Sequence, residues 1–229
     1  MALRVGAPGV TLERLVVLTK NMKDALSVYT TRGPVYIRSL VIGRSEFRKE
    51  KADAEGVRAD NCIFLRGVGV KGGSLAASNC VSTKQGISAY EGHGNSLLEL
   101  DNVVTHGAFS NKRCKLRHCT ITGSVRLEYK DCAVQDSIVG QIEAVQEATI
   151  EHCNVFGGGY KVLAKPGKGC FSENPQFNNP ASHDYRLMPK SPCRGKASDG
   201  TDVGCRYTPE MLQMLELAVK LSAAGAFEF

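Results

Sequence analysis

Four residues able to move protons or hold a charged ligand return through the middle of this chain at near-equal spacing. They are Asn102, His118, Asp136 and His152, 16, 18 and 16 residues apart. Stacked one above another, they would set a carboxylate between two imidazoles, an arrangement that perturbs both rings or supplies an acid and a base. A second group, Arg113, Lys115 and Arg117, alternates with Cys114 and Leu116, so its three cations share one side of an extended segment. Turned outward, that row attracts an acidic polymer. These seven residues are the candidate binding positions. No complete catalytic set accompanies them. G-x-S-x-G and H-E-x-x-H are absent, and Gly157-Gly158-Gly159 lacks the strand and helix context of a nucleotide cradle. The outward positions expected on neighbouring segments, Arg117, Gln135 and Glu151, stack no two carboxylates. Glu91, His93 and His106 form a looser grouping. No catalytic residue, metal ligand or cofactor is assigned.

The elements that must position these residues are strands of a short repeat. LELDNVVTHG at 98–107 is followed by LRHCTITG at 116–123, VQDSIVG at 134–140 and IEHCNVFG at 150–157. A period of 16 to 18 residues is too short for a helical hairpin, and the alternation inside it is that of a strand. Leu100, Leu116, Val134 and Ile150 fill one inward column, preceded by Leu98, Cys114, Cys132 and Ala148, and Thr105, Ile121, Val139 and Val155 fill another. With rungs ~4.8 Å apart and bonded along the axis, the architecture is a parallel β-helix. The same geometry gives the column at 102, 118, 136 and 152 a plainer reading, a ladder of corner residues bonded to local backbone, which is the preferred one.

Upstream, 12–18, 37–42, 62–70 and 75–81 read as the same strand with looser connections. The basic insertion at 44–51 and the glycines at 67, 69, 72 and 73 read as protruding turns. The absence of Trp and the 7% aromatic content suit a thin core of stacked Leu, Ile, Val and Cys. Nine cysteines, an odd number, fall largely on core columns and lack paired CxxC spacing, so they are expected as reduced, buried thiols rather than zinc ligands. No run of 18 apolar residues encodes a transmembrane helix. The start has no apolar signal segment, which leads us to expect either a cytoplasmic protein or a domain excised from a larger one.

From residue 160 the style changes. Prolines at 175, 180, 189 and 192 remove backbone donors, so the chain must leave the ladder and wind over its side or end. Asn174-Pro175-Gln176-Phe177, His183-Asp184-Tyr185-Arg186-Leu187, Ser191-Pro192-Cys193 and Asp202-Val203-Gly204-Cys205 follow in order. This series resembles the closing segment of bacterial right-handed parallel β-helix proteins related to the pectate lyase fold. The full ending also resembles C-terminal β-helix modules of large planctomycete-type multidomain proteins. Thr208-Pro209-Glu210 reads as a helix start. The apolar helix that follows is expected as a lid over the last rung, or else as a partner-binding element. The tail 223–229 ends in an alternating Phe-Glu-Phe.

The expected fold is all-β: a right-handed parallel β-helix over 1–205, with an irregular closing segment at 160–205, and a C-terminal helix and tail over 206–229. The expected role is a non-catalytic module for binding or scaffolding within a larger bacterial protein. The alternative is a lyase or hydrolase acting on an acidic polysaccharide, as the resemblance to pectate lyases implies. The expected partners are an acidic polysaccharide, a protein, or a second copy joined end to end. Net charge +6 comes with few aromatics and no reader motif, which argues against nucleic acid.

Overall fold

The coils of the chain are laid down as short strands, because their side chains alternate inward and outward and the backbone of each coil pairs with the coils on either side. The computed structural model describes residues 3–5, 9–14, 16–17, 26–30, 34–43, 45–49, 56–90, 97–110 and 113–226. Expectations placed on Arg44, Lys51, Glu91, His93 and 227–229 fall outside these residues.

The first face is an eight-stranded parallel sheet running from Thr11–Glu13 through Val35–Arg38, Val57–Asp60, Leu75–Ser78, Leu97–Asp101, Arg113–Arg117 and Ala133–Gln135 to Thr149–Glu151. Leu12, Ile37, Ala59, Ala77, Leu100, Leu116, Val134 and Ile150 stand in register as one inward file. All but Leu12 are buried. The column expected from the repeat is therefore present, and it reaches four coils further upstream than the regular spacing shows.

After each of these strands comes one residue in the left-handed region. Arg14, Ser39, Asn61, Asn79, Asn102, His118, Asp136 and His152 have φ between 47° and 58°. This single-residue bend turns the chain from the first face to the second. The residue after the bend points back into the core, and its file includes Cys62, Cys80, Cys119, Ser137 and Cys153. Each of these donates to the carbonyl two residues earlier, at 3.2, 3.0, 3.2, 2.6 and 3.1 Å. A small side chain with one donor fits here, which explains why thiols and a hydroxyl share the file. The nine cysteines are unbridged, and eight are buried.

The second face is narrow: Val41–Ile42, Ile63–Phe64, Val81–Ser82, Val104–Thr105, then the beginnings of the longer strands Thr120–Leu127, Ile138–Ala144 and Asn154–Val162. The third face contains Leu26–Thr30, Ser45–Lys49, Val68–Lys71, Ile87–Tyr90 and Ala108–Ser110, then the ends of the same long strands. In the last coils the corner between these faces flattens, which merges them into one sheet. A Cβ at Gly140 would lie 2.5 Å from the Gly123 carbonyl oxygen, so this flat corner requires glycine. Segment 45–49 is thus a strand rather than the protruding turn expected from its composition, and 68–71, most of it within the strand expected at 62–70, is a strand despite its glycine. They pair in register with one another and with their neighbours, so their backbone groups are satisfied within the ladder. Gly67, Gly72 and Gly73 keep the expected corner role, the first two at φ 91° and 79°, whereas Gly69 lies within the strand.

After Val162 the chain begins a further partial turn. Gly167 N donates to Ile150 O and Phe171 pairs with Asn154. The chain then reverses. Phe177–Asn179 and Asp184–Leu187 form an antiparallel hairpin around Pro180–Ser182. Arg194 clamps it by donating to the carbonyls of Leu187 and Met188 and to Asp202. From here a strap runs back along the outside of the second face and leads into the helix Pro209–Ala223, capped by Thr208, whose hydroxyl accepts from Met211 N at 3.2 Å.

The helix is not a lid on the last rung. Met211, Met214 and Ala218 pack sideways on Val41, Ile63, Val81 and Val104, the outward residues of the second face. Those four are at most 1% exposed. The outward Val41, Ile63, Val81 and Val104 form an apolar stripe across the coils, and a helix laid over it takes that stripe out of water. Met211→Ala should lower unfolding stability by about 2–5 kcal/mol, read as a shifted urea midpoint. Leu217→Ala, on the exposed side of the same helix, should change it by under about 0.5 kcal/mol.

Candidate functional site

The left-handed bends form a ladder. Asn102 Nδ2 donates to Asn79 Oδ1 at 2.8 Å, and Asn61 Nδ2 reaches Ser39 Oγ at 3.4 Å. Asn, Asp and His tolerate positive φ better than most residues, so the candidate column occupies the positions the backbone requires of it. The structure does bring Asn102, His118, Asp136 and His152 together. It then covers them with the strap.

Each of the four holds the strap at a different point. Asn102 Oδ1 accepts from Arg206 N at 2.6 Å while its Nδ2 donates to Arg206 O at 2.8 Å. Asp136 Oδ1 and Oδ2 accept from Ser198 N at 2.6 Å and Ser198 Oγ at 2.8 Å, and its main-chain oxygen accepts from Gly204 N at 2.8 Å. Arg206 Nη2 lies 2.9 and 3.0 Å from the two ring nitrogens of His118 and 2.9 Å from Asp199 Oδ2. His152 Nδ1 lies 3.4 Å from Lys196 O. Gly204, at φ 94°, brings the strap backbone so close that a Cβ would meet Ile138 Cδ1 at 2.7 Å. Across this seam Cys205 N also donates to Thr120 Oγ1 at 3.0 Å.

This occupancy removes the acid and base reading. Both oxygens of Asp136 are taken by Ser198, and the nearest imidazole approach is His118 Nε2 at 4.0 Å. Burial, helped by the Arg206 guanidinium, pushes the His118 pKa below its ordinary value despite the nearby Asp136 and Asp199. The neutral ring accepts from Arg206 instead of pairing as a cation. Asp199 is held below the usual carboxylate range by hydrogen bonds from Thr201 and then Arg206.

The basic row lies elsewhere. Arg113, Lys115 and Arg117 are exposed on the outer side of the first face. Lys115 and Arg117 line an open groove of about 820 Å³ with Tyr36, Arg38, Arg58, Asp60, Ala76, Ser78, Glu99, Asp101, Ala133 and Gln135. Arg113 stands on the same strand, beyond the groove. The outward residues form two files, Tyr36–Arg58–Ala76–Glu99–Lys115–Ala133 and Arg38–Asp60–Ser78–Asp101–Arg117–Gln135. Steps of ~4.8 Å give the groove a length of about 24 Å. Small residues at 76, 78 and 133 form its floor, and charged residues form its walls. Spacing alone misses Arg38, Arg58, Asp60, Glu99 and Asp101 because connections of varying length hide the register of the upstream coils. The alternation in VYIR, VRAD and LLELD carries the usable signal. Among the described residues, no group of three or more His, Cys, Asp or Glu is placed to hold a metal ion, and no helix is long and apolar enough to cross a membrane.

Asp136→Ala should cost about 1–3 kcal/mol in urea unfolding, because it removes the buried carboxylate that accepts both Ser198 hydrogen bonds and pins the strap. His118 gives a pH test. Its pKa is depressed in the fold, so its contribution is complete above the unfolded value of about 6.5 and is lost as pH falls through the lower folded value. His118→Asn, which keeps the left-handed bend, should flatten part of the stability loss below about pH 6.5, leaving the share due to His183, also depressed by burial.

Comparison of the chain with known protein families matched none of them, and comparison with curated proteins found no significant similarity, so the functional reading rests on the groove and the seam.

Proposed function

We propose that this chain is a non-catalytic β-helix module that binds an extended acidic polysaccharide along its first face. In this reading it is a right-handed, pectate lyase-like helix and part of a larger bacterial protein, as the closing-segment motifs at 174–205 suggest. The observation that carries the reading is the groove. It runs along the axis, it is open to solvent, and its walls hold Arg38 and Arg58 on adjacent rungs and Lys115 and Arg117 together on one rung further along. A polymer with carboxylates and hydroxyls at regular intervals meets cations at Arg58 and again at Lys115, three rungs or about 14 Å further on. Ser78 and Gln135 supply neutral hydrogen-bonding groups between and beyond them. The seam at 102–152 contributes nothing to binding, because the strap fills it.

One observation favours the second reading, a carbohydrate-active enzyme. Glu99 and Asp101 occupy alternate positions of one strand, both outward, about 7 Å apart along it. That separation suits a pair of catalytic carboxylates. Against it, Glu99 stands in register with Lys115 and Asp101 with Arg117, the pattern of cross-strand charge pairs that stabilise a sheet surface.

The test is a panel of acidic polysaccharides, with binding and turnover measured on the same samples. The binding reading expects retention that weakens with salt and falls about tenfold or more in the Lys115→Glu/Arg117→Glu double variant, with no new reducing ends or unsaturated products. Cleavage abolished by Glu99→Gln or Asp101→Asn would instead establish the enzyme reading. Absence of binding to every acidic polymer would remove both.

A further inference from the structure

The last thiols of the core file differ from the rest. Phe171 pairs in parallel with Asn154, which places Cys170 directly above Cys153. Phe171 N donates to Cys153 O and Val155 N to Phe171 O, both at 3.0 Å, so the two cysteines are held in register from both sides. Neighbours in register on parallel strands are ~4.8 Å apart at Cα, inside the 4.4–6.8 Å window that a disulfide spans. Cys62 with Cys80 and Cys114 with Cys132 are stacked in the same way. Those four thiols are at most 2% exposed, whereas Cys170 is the only one of the nine cysteines that is not buried. It lies in the partial turn that ends the stack.

A second observation bears on the same place. Tyr160, on the last full strand, has a buried hydroxyl with no hydrogen-bond partner among the described residues. Its ionisable neighbours are Cys170 and Cys153. A buried donor left empty is costly, and a charged sulfur or a sulfur-bound oxygen at Cys170 supplies the acceptor it lacks.

We propose that Cys170 and Cys153 form a peroxide-reactive dithiol, in which Cys170 is the site of attack and Cys153 resolves it into a disulfide that fastens the terminal partial turn to the coil beneath. In the first step the Cys170 thiolate attacks the terminal oxygen of a hydroperoxide. The O–O bond breaks, Cys170 becomes a sulfenic acid, and the other oxygen leaves as water or an alcohol after taking a proton. In the second step Cys153 sulfur attacks the Cys170 sulfur. The S–O bond breaks, and the Cys153 proton leaves with the hydroxyl as water. Two thiols lose two electrons in all and the hydroperoxide gains them. The protein's own groups support the first step. The neighbouring Cys153 thiol, with nearby backbone groups, lowers the Cys170 pKa to about 6 against the opposing effect of burial. At pH 7 such a group is about nine-tenths thiolate, against about 3% for an ordinary cysteine. Burial raises Cys153 well above its usual range, which keeps it a protonated partner until the sulfenic acid forms.

The experiment treats the full chain with one to five equivalents of hydrogen peroxide at pH 7, follows intact mass, and maps the bonds by non-reducing peptide digestion. The wild type should lose two hydrogens, with the new disulfide at Cys153–Cys170. Cys153→Ser should fold, because Ser137 fills the equivalent position in the coil below, and it should accumulate a sulfenic acid on Cys170 that dimedone traps. Cys170→Ser should oxidise about tenfold or more slowly. Nine thiols still reduced after treatment, a first disulfide at Cys62–Cys80 or Cys114–Cys132, or wild-type oxidation of Cys170→Ser would each overturn the proposal.

Discussion

The left-handed bend between the first and second faces is the constraint on which the rest of this structure depends. One residue per coil takes a backbone conformation costing roughly 1–2 kcal/mol for most L-residues, eight times over from Arg14 to His152. In return the chain turns a corner within a single residue, so the strands on either side keep the same register in every coil. The inward files, the thiols placed after each bend and the straight groove on the first face all follow from that repetition. The cost is reduced where Asn, Asp or His sits at the bend and bonds to its neighbour in the next coil or to the strap.

The three faces have different fates for reasons of side-chain chemistry. On the first face the outward positions are mostly charged, polar or small, and they stay in water as a groove. On the second face they are Val41, Ile63, Val81 and Val104, followed by Thr120, Ile138 and Asn154, and the chain's own strap and helix bury them. The return of the C-terminal segment therefore serves as a wall of the core as well as an ending. Residues that look available for chemistry in the sequence, His118 and Asp136 above all, belong to the buried boundary between coil and strap. The side that remains open is the one whose outward residues cannot be buried cheaply, and it is the side on which the proposed binding is placed.

Much of the fold was legible in the sequence because a solenoid's pattern is local. Leu100, Leu116, Val134 and Ile150 mark one file by spacing alone, and Thr208-Pro209-Glu210 marks the helix start by capping chemistry. The coils before residue 90 were harder to read. Their connections vary in length, which hid the files containing Arg58 and Asp60 and made the strand at 45–49 look like a loop. The column at 102–152 was legible as a column and as corner residues, but its partner was not. Ser198 meets Asp136 across 62 residues and Arg206 meets Asn102 across 104, with no periodicity linking them.

The sequence by itself determined that this chain stacks short strands in parallel, which residues form its core files and where its helix begins, since each of these follows from alternation, period or capping within a few residues. Only the tertiary structure decided that the C-terminal segment lies along the second face, closing the His118 and Asp136 seam and leaving the first face open. That choice compares the apolar surface exposed on whole faces, a quantity that exists only after the coils have stacked.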